Sequence, residues 1–136
     1  MEKLLIIGFL ILASWSDIKR REISIFLIIV FGIIGIVLFF IQNRQSFFSL
    51  MCGLLIGALV ILLSCITHGE IGLGDGLILI DTGVYLGGFI NLELLIGGLM
   101  LSALFSCLVF VFKKNIKQEI PFVPFLLISY LILEIL

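Results

Sequence analysis

Long uncharged apolar runs alternate with short polar punctuation along this chain. The runs fall at 4–16, 24–40, 45–68, 76–90, 94–112 and 120–133, with Asp81 interrupting the fourth. A bilayer core about 30 Å thick needs about 20 helical residues, range about 17–25. The second, third and fifth runs therefore span comfortably, while the first and last are short and bring their polar ends near or below the membrane surface. The simplest reading is an all-α integral membrane protein, a six-transmembrane-helix bundle forming a single domain over 1–136. The first run is not expected to be a cleaved signal peptide, because Glu2 offsets Lys3 in what would be its positive leader.

Composition sharpens this picture. Of 136 residues 62% are hydrophobic and 12% charged, against roughly 45–50% and about 25% in soluble domains. A mean hydropathy of +1.42 leaves too little polar surface to wrap a domain in water, so its solvent is the lipid bilayer. The formal net charge of -1 excludes a broad basic surface and with it nucleic acid. Lys19, Arg20, Arg21, Lys113, Lys114 and Lys117 face one side, and only Lys3 and Arg44 the other. The positive-inside rule then puts the 1–2, 3–4 and 5–6 connections in the cytoplasm and both termini outside, in a multi-pass protein of the inner (cytoplasmic) membrane. Cys52, Cys65 and Cys107 lie in apolar runs without CxxC spacing and read as small buried hydrophobes. Gly53/Gly57, Gly83/Gly87 and the series Gly98, Ser102, Ser106 read as faces for close helix packing.

Carboxylates in such runs are costly to keep, and they suggest function. Asp17 ends the first run and Asp75 opens the fourth, both on the cytoplasmic side of the predicted topology. Two carboxyl groups held together cannot both ionise easily; one keeps a proton while the other draws a proton from water, as in aspartic peptide hydrolysis. Asp17 sits near the C-terminus of the first helix, where the macrodipole disfavours negative charge, and is expected to hold the proton. Gly72, Gly74 and Gly76 around Asp75 are expected to form an irregular active-site loop, open to a substrate strand.

Gly72-Leu73-Gly74-Asp75 resembles the GxGD signature of membrane aspartic proteases, and its surroundings resemble the type IV prepilin peptidases, including the small preflagellin and Tad-pilus peptidases. The family's first aspartate precedes a basic stretch and an Ile-Pro, resembling Asp17-Ile18-Lys19-Arg20-Arg21-Glu22-Ile23. Its Gly-x-x-x-Gly is matched by Gly83–Gly87 and its Pro-Phe-x-Pro-Phe-Leu by residues 121–126. The resemblance implies cleavage of a short basic leader, a class III signal peptide, from pilin-like or flagellin-like precursors at the cytoplasmic face, with Asp17 and Asp75 as catalytic aspartates. Larger relatives also methylate the new N-terminus through a domain with two CxxC pairs, which this sequence does not show, so methyl transfer is not implied. The chain departs from the family at Leu77, where Lys is usual, at Ser24, where Pro is usual, and at Asp81, where Ala is usual. Losing that Lys removes a cation that could tune the pair.

Glu22, Glu70 and Asp81 are candidates to contact a basic leader or tune the site. On a regular helix Asp81 stands roughly 240° around and about 9 Å along from Asp75, facing a polar cavity or a partner helix. His68 reads as an interfacial loop residue, Trp15 and Tyr85 as interfacial anchors. No metal or cofactor is expected. The rival reading is a small transporter or channel subunit using Asp17, Asp75 and Asp81 as a proton or cation path.

Overall fold

The computed structural model describes residues 2–20, 23–43, 45–68, 73–113 and 121–136. These form six helices and no strand: α1 (Glu2–Arg20), α2 (Ile25–Gln42), α3 (Phe47–Ile66), α4 (Leu73–Leu86), α5 (Gly88–Lys113) and α6 (Val123–Ile135). Local signals set the boundaries. Asn43, at φ 48, closes α2 in the left-handed conformation, and the Ser46 hydroxyl accepts from the Ser49 N–H to cap α3. The helices α2, α3 and α5 are long and apolar enough to cross a membrane, and α6 is a shorter apolar helix.

The end of the fourth run differs from expectation. It does not continue to position 90: α4 stops at Leu86 and α5 starts at Gly88, with Gly87 between them at φ +81. A side chain there would be strained by that φ and would collide with the Ser49 hydroxyl. Gly87 is thus a helix break and not half of a packing face. Gly83, by contrast, does pack: a Cβ on Gly53 would come within 2.6 Å of the Gly83 carbonyl oxygen. Gly57 meets Ile80 in the same seam, so α3 and α4 touch backbone to backbone, the closest pairing in the molecule.

α4 is the hub. It packs on α1, α2, α3 and α5, while α6 lies against α1 and α5. Of its 14 residues, eight are buried. The core joins Ile6, Phe9, Leu10 and Ala13 of α1, Ile78, Leu79 and Tyr85 of α4, Leu94 of α5, and Val123, Leu126 and Tyr130 of α6. At about 1.5 Å per residue α4 is roughly 21 Å long, shorter than the hydrocarbon it sits among.

Buried polar groups fix α4 in register. Asn91, fully buried, donates to Leu79 O at 2.9 Å and Gly53 O at 3.3 Å, and accepts from the Thr82 hydroxyl at 2.7 Å. The Gln45 amide donates to the terminal carbonyls of Val84 and Tyr85, at 2.9 and 2.7 Å. Tyr85 is not an interfacial anchor; it is buried, and its hydroxyl donates to Phe31 O on α2 at 2.6 Å. The cysteines are less enclosed than expected, with Cys52 half-buried and Cys65 and Cys107 exposed. Apolar runs in a membrane protein face lipid as readily as they face the core.

Candidate active site

Asp17 continues the inward stripe of α1. Ile6, Leu10 and Ala13 are buried at helical spacing, and the next position on that face is Asp17, half-buried in the last turn. The stripe delivers it to the start of α6. There the Val123 backbone N–H donates to Asp17 Oδ2 at 3.3 Å.

The local sequence of α6 explains why that donor is free. Phe122, at the cap position, offers no capping side chain, and Pro124 has no N–H. The N–H groups of Phe125 and Leu126 both turn to Phe122 O, at 3.0 and 3.3 Å. Val123 is left with a free donor, and a carboxylate more than a hundred residues earlier in the chain accepts from it.

Asp75 is the third residue of α4. Its helix start is held on two sides, by Ile23 over Gly74 and by Ile61 and the Gly57 carbonyl against Gly76. Gly74 and Gly76 are therefore not an open loop. They are helical, and their missing side chains let neighbouring elements close over the first turn of α4. Gly72, Glu22 and Glu70 lie outside the described residues. Leu77, where a Lys was expected from the resemblance, is half-buried in α4.

Asp17 and Asp75 are near enough for the charge of one to act on the other. Both flank the apolar runs, which end at Ser16 and begin at Gly76. Burial, and then the negative charge of Asp17, push the Asp75 carboxyl up to about 7. Asp17 is also raised by burial, but the backbone N–H groups of Val123 and Phe122 oppose that rise. The environment thus favours the proton on Asp75, the reverse of the macrodipole expectation. The N–H groups at the amino end of α6 support the charged form of Asp17, which sequence spacing within α1 does not report.

Asp81 stands apart from this pair. It is 4% exposed and faces α2, where Gly32 leaves room for it: a Cβ on Gly32 would lie 2.9 Å from Asp81 Oδ1. Its Oδ2 is buried without a hydrogen-bond partner. His68 is exposed just beyond α3, at φ 55. Among the described residues no three His, Cys, Asp or Glu side chains gather as a metal set.

Two half-buried aspartates thus come near each other where α1 ends and α4 begins. The type IV leader peptidase family has a model that matches residues 4–112, most of the 136, and the chain belongs to that family. It is accordingly a peptidase of helical, membrane type. No curated protein and no solved structure matches it.

The match stops before α6, and the sequence reading likewise gave 121–126 no role in the site. The available signal was Pro124 two residues after a residue that cannot cap, which marks a helix start in need of an acceptor from elsewhere.

Proposed function

We propose that this chain is a membrane aspartic endopeptidase that removes a short basic leader from type IV pilin-like precursors, using Asp17 and Asp75 as its catalytic pair. What supports the reading is that Asp17, at the end of α1, lies near enough to Asp75, at the start of α4, for its charge to act on that carboxyl, within a leader peptidase family chain. In this reading Asp17 is ionised and Asp75 carries the proton. Asp17 takes a proton from water as the water oxygen attacks the scissile carbonyl carbon, and Asp75 gives its proton to the carbonyl oxygen. When the tetrahedral intermediate collapses, the C–N bond breaks, Asp17 passes its proton to the leaving amine, and Asp75 recovers the proton from the re-forming carbonyl.

The proposed setting is six spans with the site facing the cytoplasm, supported by the excess of Lys and Arg in the 1–2 and 5–6 connections. A basic leader would approach from that side, while the apolar helix behind it stays in lipid. Glu22 and Glu70, in the 1–2 and 3–4 connections, are proposed to meet its positive charge.

The test is co-expression with a pilin-like precursor, following leader loss by gel mobility. Asp17→Asn and Asp75→Asn should each abolish processing while the protein still reaches the membrane in normal amount. Processing by both variants at the wild-type rate would refute the aspartic mechanism. Flux of protons or cations through reconstituted vesicles that depends on Asp81 would favour a transporter instead.

A further inference from the structure

The amino end of α6 meets Asp17 although it lies outside the sequence around either aspartate of the pair. Its four first-turn positions are accounted for individually: Phe125 and Leu126 bond to Phe122 O, Pro124 has no donor, and Val123 donates to Asp17 Oδ2 at 3.3 Å. Asp17 therefore caps α6 from another helix, in place of the side-chain cap that Phe122 cannot supply.

The donor is held rigidly. Val123 is fully buried, in one core with Ala13 and Leu10 of α1 and Leu126 and Tyr130 of α6. The far end of the same helix pair is tied by an ion pair between Lys3 and Glu134. An α1–α6 unit clasped at both ends fixes where Val123 N–H points and, through it, where the Asp17 carboxylate rests.

We propose that the amino end of α6 is the positioning element for Asp17, its Val123 N–H holding the carboxylate in place and keeping it the ionised, water-activating member of the pair. This rests on the aspartic reading above and adds the device that makes two chemically identical groups unequal. A hydrogen bond from a backbone donor stabilises the charged form of a carboxyl more than the neutral form, and the amino end of a helix adds a positive field to it. Asp75 has no described equivalent and instead feels the charge of Asp17.

The other groups around Asp17 leave this assignment intact. Among the described residues, the titratable side chain linked to it electrostatically is Asp75 on α4, which feels its charge. Phe122 and residues 123–126 of α6 carry no ionisable side chain, nor does Ile23 above Gly74. Lys19 and Arg20 follow it on α1 and are exposed.

The test is the pH dependence of precursor cleavage by the purified full chain. Val123→Pro removes the N–H at the first helical position, although Phe122 before it is αR, a conformation that a following proline disfavours. Without the donor the charged form of Asp17 loses support, its pKa rises, and the acid limb of the profile should move up by about one pH unit, a roughly tenfold loss of rate below the limb. Val123→Ala retains the N–H and removes only packing, so its acid limb should stay in place. If Val123→Pro does not yield folded protein, replacing Val123 by its α-hydroxy acid exchanges the N–H for an oxygen with the side chain intact, and the same limb shift is expected.

An unmoved acid limb in the variant lacking the donor would overturn the proposal, as would an equal shift in Val123→Ala. Asp17→Asn and Asp75→Asn are run beside them. If these two cleave normally, the catalytic reading itself fails; if they are inactive while the donor-less variant keeps the wild-type limb, only the role of α6 fails.

Discussion

At the residue scale, two aspartates of ordinary chemistry are made different by what surrounds them. Asp17 receives a backbone N–H from Val123, whereas half-buried Asp75 is pushed up to about 7 by burial first and then by the charge of Asp17. In the proposed mechanism cleavage needs Asp17 ionised and Asp75 protonated, so the pH–rate profile should rise on the acid side and fall through about 7 as Asp75 loses its proton. A profile flat from pH 5 to 9 would contradict this. Stability carries the same signature. The folded chain keeps the Asp75 proton up to about 7 and the unfolded chain only to about 3.8, so the folded state binds more protons in between and stability declines as pH rises across that window. Asp75→Asn, which cannot ionise, should raise the melting temperature relative to wild type above pH 7, with the difference shrinking towards pH 4. Melting curves in detergent across that range check the sign. Asp17 and Asp75 were legible because a charge at the edge of an apolar run is conspicuous in a sequence. The Val123 donor was not, since a backbone N–H belongs to every residue but proline and only the tertiary fold shows which one is free.

At the element scale, the position of Asp75 depends on how α4 lies on α3. The seam is backbone against backbone at Gly53 and Gly83, with Asn91 of α5 donating to Gly53 O on one side of it and Leu79 O on the other. Gly53→Val would force side-chain atoms into the Gly83 main chain, a destabilisation of about 1–3 kcal/mol or more. It should also lower processing at temperatures where the variant is still folded, because tilting α4 moves Asp75 against Asp17. A variant as stable and as active as wild type would show that this seam does not set the site. The Gly53/Gly57 face was readable from its four-residue spacing, and it does pack. Gly83/Gly87 has the same spacing, yet Gly87 breaks the helix; spacing alone cannot tell a close contact from a turn at φ +81. The helical state of Gly74 and Gly76 has a related cause. Glycine permits irregular backbone without requiring it, and here the absent side chains are filled by Ile23 and Ile61.

For the molecule as a whole, the all-helical membrane character was plain from run length and composition, and α2, α3 and α5 bear it out. The arrangement around α4 was not. Lipid is as apolar as a protein core, so a hydrophobic face does not reveal whether it meets another helix or the bilayer. What does identify α4 as central is Thr82, a polar group that only an interior position can satisfy, here through Asn91 of α5. In the proposed topology, single cysteines introduced at Ser24 and Asn43 in a cysteine-free background should label from opposite sides, Ser24 from the cytoplasm and Asn43 from outside. Labelling of both from the same side would remove the six-span arrangement. The central claim, that Asp17 and Asp75 act on one peptide bond as a unit, is tested most directly by single-turnover cleavage of a purified precursor by Asp17→Asn, Asp75→Asn and the double variant. Partners in one step are not additive, so each single change should reduce the rate about as far as both together. A single variant that retains most of the wild-type rate, or losses that multiply in the double variant, would contradict it.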